Sequence, residues 1–266
     1  MARQSLAERA RRARLAARRL AKTYPLSTCA LAHDGPFQLL VATVLSAQTT
    51  DLAVNRVTPV LFARYPDADS MAKADPAEVG RLIGSIGLWR AKAANLVALS
   101  RLLVERHGGR VPDSLDELLE LPGVGRKTAT AVLGHGFGIA AGITVDTHML
   151  RVNRLLGLSR STTAEAMAAD LERLLPPREW TGYTHRVIDH GRLVCVARRP
   201  RCGVCPLKDV CASAFSPRAG YRAENDGAEP ASAAGLSWLH SAPPRRETGA
   251  KTRNQAGESR TETASR

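Results

Sequence analysis

Cys195, Cys202, Cys205 and Cys211 form a C-x6-C-x2-C-x5-C run, and Lys127 and Asp146 stand upstream of it at the heads of two separate helical segments. Four thiolates this close together can satisfy one tetrahedral zinc ion or the irons of a [4Fe–4S] cube, and the spacing alone does not choose between them. A disulfide framework would spread its cysteines more widely. No secretory segment is read at the start of the chain, so reduced thiols are expected. Cys29, the remaining cysteine, reads as a buried thiol.

Lys127 could be a nucleophile. A free lysine amine titrates near about 10.4, so such a role needs desolvation against apolar helix faces or the positive end of a helix beside it. Phosphate contact or simple solvation is the plainer role for a lysine. Asp146, within Thr144-Val145-Asp146-Thr147-His148, sits where an N-cap carboxylate accepts amide hydrogens. The same carboxylate, held ionised, could stabilise positive charge at a reacting sugar carbon or take up a proton. His148 reads as a structural partner on that helix.

These side chains must be positioned by helices, because the body shows helical punctuation and no convincing strand alternation. Phe37 to Ala47 is an almost wholly apolar helix, and a second restarts at Asp51 after Gln48-Thr49-Thr50. Asp75-Pro76-Ala77-Glu78 opens a helix expected to stop at Gly87, and another runs from Arg90 to Gly108-Gly109. Ser114-Leu115-Asp116-Glu117 opens a helix that Pro122 and Gly123 must break. The chain resumes as a helix at about Arg126. Gly123 and Gly125 let the intervening turn lie open, so that amides at the next helix start can face a phosphate diester. Further helices are expected over Asp146 to Leu156, Thr163 to Leu175, and from Arg178 toward Cys195. The fold class is therefore all-α.

The chain has 266 residues, 44% hydrophobic, with a net charge of +13. Arg3, Arg9, Arg11, Arg12, Arg14, Arg18, Arg19 and Lys22 crowd the start against Glu8 alone. Such a run attracts polyanions or forms the solvated face of a helix. The longest apolar stretch, Leu39 to Leu45, is too short to span a bilayer, so no membrane partner is expected and the protein reads as cytoplasmic. Residues 216–266 are rich in Ala, Gly, Ser, Pro, Glu and Arg without apolar periodicity, and disorder is expected there.

Leu121-Pro122-Gly123-Val124-Gly125-Arg126-Lys127-Thr128, Val145-Asp146-Thr147-His148 and the cysteine run, with Leu45 to Asp51 and His190-Gly191-Arg192, together resemble the endonuclease III family of the helix-hairpin-helix DNA glycosylase superfamily. The resemblance covers roughly residues 5–215. It implies two all-α lobes with a DNA cleft between them. One is a six-helix barrel over residues 29–140, and the other joins residues 1–28 to residues 141–215 around a [4Fe–4S] cluster. It further implies a monomer, associated with the nucleoid in a prokaryote, that acts on damaged double-stranded DNA in base excision repair. Lys127 would attack the anomeric carbon, displace an oxidised pyrimidine and hold the opened sugar as a Schiff base, with Asp146 assisting and β-elimination cutting the strand. Gln48 would fill the gap left by the flipped nucleotide, and Leu88 would wedge the opposite strand. Gly123, Gly125, Arg198, Arg199 and Arg201 would meet phosphate, the arginines held by the cluster loop. One departure is a segment between Lys127 and Asp146 that runs about one residue longer than the family pattern.

Two other readings remain open at this point. An adenine mismatch glycosylase of the same superfamily would carry a glutamate where Val41-Ala42-Thr43-Val44 stands and a folded carboxyl-terminal domain. A non-enzymatic DNA-binding protein would use the hairpin for phosphate and zinc for stability.

Overall fold

The computed structural model describes residues 5–226, which contain helices and turns and no strand. The helices are α1 (Leu6–Thr23), α2 (Pro36–Leu45), α3 (Asp51–Arg64), α4 (Ala68–Ala72), α5 (Pro76–Leu82), α6 (Trp89–His107), α7 (Leu115–Leu119), α8 (Arg126–Val132), α9 (Thr147–Leu155), α10 (Ala164–Glu172) and α11 (Trp180–Leu193). All-α architecture follows from the sequence because many of the segments carry their own start signal. Thr50, Asp67, Asp75, Asp146 and Thr163 each accept a first-turn amide with the side chain, an arrangement worth about 1 kcal/mol per cap.

Two separate cores organise these helices. The first is built on α2, whose Leu39, Leu40, Val41, Ala42, Val44 and Leu45 are all buried, which is why that helix is apolar on every side. It takes in residues from Leu31 to Leu133. The second joins Ala13, Ala16, Ala17 and Leu20 of α1 to Met149 and Val152 of α9, Met167 and Leu171 of α10, and Tyr183 and Val187 of α11. The spacing of the α1 residues places them on one helical face. The chain therefore returns across some 120 residues of sequence to complete a lobe that its first helix began, a gap visible between Leu20 and Ile143.

Several basic residues of α1 turn inward along this junction. Arg9 donates to Leu158 O and Arg12 to Leu156 O, both at 3.3 Å, and Arg19 pairs with Asp209 while also donating to Pro206 O at 3.1 Å. At least these three arginines hold α1 against the second lobe.

Local boundaries differ from the sequence expectations in instructive places. Helix α5 ends at Leu82 and the chain turns through residues 84–88 before α6, because Gly84 and Gly87 weaken a helix that Ile86 alone does not prolong. Ser114 makes no side-chain cap bond to α7. The segment between Lys127 and Asp146 contains a π-turn over Leu133–Phe137. The expected disorder from residue 216 is also corrected at its start. Short 3-10 turns form over Pro217–Ala219 and Ala223–Asp226, held by Gly203 N donating to Asp226 Oδ1 at 2.9 Å and Tyr221 OH donating to Asp226 Oδ2 at 3.1 Å. The remainder of that stretch lies outside the described residues.

Candidate active site and metal centre

The hairpin between α7 and α8 is pinned by buried Leu121 and Val124, with Val124 N donating to Leu121 O at 3.1 Å. Gly123 has φ +79°, a value that favours glycine, and no atom lies within 4 Å of where a Gly125 side chain would begin. No side chain caps α8. The first-turn amides of that helix are thus left for an outside acceptor. Lys127 is the second residue of α8, within its first turn, and its side chain is exposed. Of the two influences that could favour a nucleophilic amine, packed apolar faces are therefore not supplied, and the start of α8 is.

Asp146 caps α9. Its Oδ1 accepts Met149 N at 2.8 Å and its Oδ2 lies 3.0 Å from His148 Nδ1. Burial pushes its carboxyl up, but the His148 and Met149 hydrogen bonds and the charges of His148 and Lys127 together outweigh burial and hold it below the usual value. The carboxylate stays ionised, and the Lys127 cation is close enough to act on it. These two side chains come from opposite sides of the lobe junction, α8 from the first core and α9 from the second.

The junction itself is built around α11. Arg192 donates to Asp51 Oδ2 at 3.3 Å, and the His185 ring meets His135 of the π-turn edge to face with centroids 4.4 Å apart. A Cβ at Gly191 would lie 3.1 Å from both His148 and Arg151, which explains the glycine in His190-Gly191-Arg192: it lets α11 approach α9 beside the Asp146 carboxylate.

Among the described residues, four non-glycine residues adopt positive φ: Gln48, Leu88, Arg198 and Phe215. Three of these are residues for which the resemblance implies DNA contact. A left-handed residue costs about 1–2 kcal/mol, so a leucine held at φ +59° and 61% exposed is informative. Gln48 is exposed too, and the Gly87 Cβ position is 4.0 Å from Gln48 O, so the two loops lie side by side. Arg198 and Arg199 are exposed, whereas Arg201 is partly buried and lines the cavity among the cysteines. The structure thus separates Arg201 from its two neighbours. Lys92 was not singled out from sequence, yet it is buried with its ammonium on the Gln48 loop.

Cys195, Cys202, Cys205 and Cys211 line one cavity with Val152, Leu155, Leu156 and Leu207, and none is in a disulfide. Burial pushes the Cys195 thiol up to about 12 and the Cys205 thiol to about 11, and their cysteine neighbours push further in the same direction. Four thiolates are stable in such a place only against a cationic centre. Donors surround it. Leu207 N donates to Cys205 Sγ at 3.4 Å, His190 Nε2 is 3.5 Å from the same sulfur, and the buried Nε of Arg201 has no partner among the described residues. The four cysteines share one cavity in which thiolates need a cationic centre, and this all-thiol donor set fits a cluster.

An exposed amine beside a hairpin, within electrostatic reach of an ionised carboxylate on the second helical core, defines the class: the family of the HhH-GPD superfamily base excision DNA repair protein matches residues 41–177. The iron-sulfur binding domain of endonuclease III matches residues 195–211, and the chain carries a [4Fe–4S] cluster there. Endonuclease III of Synechocystis sp. is 51% identical over 73% of this chain and 89% of its own length, and that of Bacillus subtilis is 44% identical over 71% and 86%. A solved structure described as a trapped endonuclease III-DNA covalent intermediate superposes with a TM-score of 0.72 at 40% identity, covering 79% of this chain and 98% of that one. This chain belongs to the endonuclease III family and is a DNA glycosylase of base excision repair. Among its described residues, no helix is long and apolar enough to cross a membrane.

Proposed function

We propose that this glycosylase is bifunctional, removing an oxidised pyrimidine and then cutting the strand, with Lys127 as the nucleophile. The observation that carries this reading is the placement of the exposed Lys127 amine within electrostatic reach of the ionised Asp146 carboxylate. The trapped covalent intermediate of the related endonuclease III supports it.

A base inside a duplex is out of reach, so the damaged nucleotide is drawn out into the space between the lobes, at a cost that is smaller for a poorly stacked base. Lys127 Nζ, once deprotonated, forms a bond to the anomeric carbon. The glycosidic bond breaks, and the base leaves with the bonding electron pair and acquires a proton. Asp146 stabilises the positive charge that develops on the sugar, and His148 keeps its carboxylate in place. Opening of the sugar ring gives an imine on Lys127. Loss of a proton from the adjacent carbon then expels the 3′ phosphate, and water hydrolyses the imine to free the lysine.

Residues 29–140 serve as the barrel lobe in this reading, and residues 1–28 with 141–215 as the cluster lobe. Gln48 enters the gap left by the flipped nucleotide, Leu88 wedges the other strand, and Gly123, Gly125, Arg198 and Arg199 meet phosphate. The cluster anchors the arginine loop. A monomer binding damaged duplex DNA is sufficient for every step.

Borohydride trapping on duplex DNA carrying an oxidised thymine tests the assignment. A covalent adduct is expected with the parent chain and none with Lys127→Ala. An adduct that persists in that variant would remove Lys127 from the role.

A further inference from the structure

We propose that Lys92 is a positioning residue that locks the Gln48 loop to the Leu88 loop, so that both side chains meet the duplex at a fixed separation. The inference rests on the reading of Gln48 and Leu88 as the two inserting side chains. Lys92 lies in the first turn of α6, only 5% exposed, on the same helical face as buried Leu96 and Leu103. An ammonium in such a place must find acceptors. Its Nζ donates to Leu45 O, Ala47 O and Thr49 Oγ1, each at 2.8 Å, which uses all three of its hydrogens.

Those acceptors bracket Gln48. Leu45 ends α2, and its carbonyl belongs to the last turn, where a cation is favoured by the helix dipole. Ala47 and Thr49 flank the left-handed Gln48 on either side, so the ammonium holds the backbone of the loop whose tip is Gln48. The second loop is one turn away on the same helix, Lys92 N donating to Leu88 O at 3.0 Å in the first main-chain bond of α6, so the side chain ties the Gln48 loop to the helix that starts at Leu88. Leu88 is in turn fixed by Trp89, whose ring occupies the space where a Gly80 side chain would be, at 2.8 Å from that Cβ position. One lysine thus joins the two left-handed, exposed residues of the first lobe. An apolar residue of the same length would fill the core and take one donor away from each of two carbonyls and a hydroxyl.

A strand without a partner leaves no gap to fill and no opposite strand to wedge, so the ratio of borohydride trapping on an abasic duplex to trapping on the same abasic strand alone reads this role. Lys92→Met is expected to lower that ratio about tenfold, the factor equivalent to about 1.4 kcal/mol. Thr49→Val, a milder change that removes one acceptor, is expected to lower it less. Gln48→Ala lowers it as well, and Lys92→Met combined with Gln48→Ala falls no further than the worse single variant, because the two act through one contact. A general loss of fold lowers trapping on both substrates and does not produce this pattern. If Gln48→Ala lowers the ratio while Lys92→Met and Thr49→Val leave it unchanged, the proposal is overturned. It is equally overturned if the losses multiply in the double variant. If Gln48→Ala itself leaves the ratio unchanged, the gap-filling reading fails and takes the Lys92 role with it.

Discussion

His148 Nδ1 stands 3.0 Å from Asp146 Oδ2, on the carboxylate oxygen that the Met149 amide does not use. One acid therefore caps a helix with one oxygen and is oriented by an imidazole with the other, and its structural and chemical roles are separable by substitution.

Asp146→Asn keeps an acceptor for the Met149 amide, while Asp146→Ala removes it. The alanine variant should lose about 1 kcal/mol of stability and the asparagine variant less, with base excision falling sharply in both. The carboxyl of Asp146 titrates below its ordinary value in the folded chain, so its ionised form adds stability above the unfolded carboxyl range. That contribution should vanish as pH falls through the lowered folded value. Urea unfolding of parent and Asp146→Asn from pH 7 to pH 3 checks the convergence, and single-turnover excision checks the chemistry.

His185 gives a second pH signature, at the lobe junction. Burial, then the charges of His135 and Arg192, lower its pKa to about 3. It stays neutral in the fold while an unfolded histidine takes up a proton below about 6.5. The unfolded state then binds more protons, so stability is complete above that pH and declines on acidification. Between pH 7 and pH 5 the parent should lose about 1–2 kcal/mol more than His185→Gln, allowing for the partial exposure of the ring. Parallel pH profiles for the two proteins would contradict a neutral His185.

What could be read from sequence was what is local in sequence. The hairpin glycines, the Asp146 cap and the cysteine run each depend on neighbours a few residues away. Arg9, Arg12 and Arg19 read as part of a polyanion-attracting run or a solvated helix face because their carbonyl and carboxylate partners lie far along the chain, at Leu158, Leu156 and Asp209. Lys92 carried a signal that went unused, a lysine in register with the buried face of α6. Its meaning required knowing that the end of α2 packs against that face. The exposure of Lys127 was hidden for the opposite reason: spacing places a residue on a helix but does not say what covers it.

Cys205→Ser should remove the cluster and loosen the loop that carries Arg198 and Arg199, since Cys205 also receives the Leu207 amide. Iron content and visible absorbance should fall together, and DNA affinity by about tenfold, or about 1.4 kcal/mol. Trapping at saturating DNA should decline less than affinity does. Loss of trapping with affinity intact would give the cluster a role in the chemistry.

Asp226→Ala removes the acceptor for both Gly203 N and the Tyr221 hydroxyl. Gly203 lies between Cys202 and Cys205, so the short turns after residue 216 brace the cluster loop from outside. At about 1 kcal/mol per hydrogen bond the variant should be roughly 1–2 kcal/mol less stable and release iron to a chelator faster. Base excision by the intact holoenzyme should be nearly unchanged, and so should that of a chain ending at Phe215. A large loss of excision on truncation with iron content intact would mean that the residues beyond Phe215 touch substrate, and a loss that follows iron would trace to the missing brace.

The division among the loop arginines makes the sharpest electrostatic test. Arg198 and Arg199 are exposed, while Arg201 is partly buried, with Nε inside and its chain along the cysteine cavity. A phosphate contact appears in the salt dependence of binding, because each neutralised phosphate contributes about 0.9 to the slope of log K against log salt. Replacing Arg198 or Arg199 by alanine should each reduce that slope by up to about one. Arg201→Ala should leave the slope near the parent value and instead hasten cluster loss, since the residue it replaces lines the cysteine cavity. Equal slope changes from all three substitutions would mean that the loop rearranges on DNA and brings Arg201 out to the phosphates. Anisotropy titrations of a labelled abasic duplex across a range of salt concentrations, with iron content measured on the same samples, separate these cases.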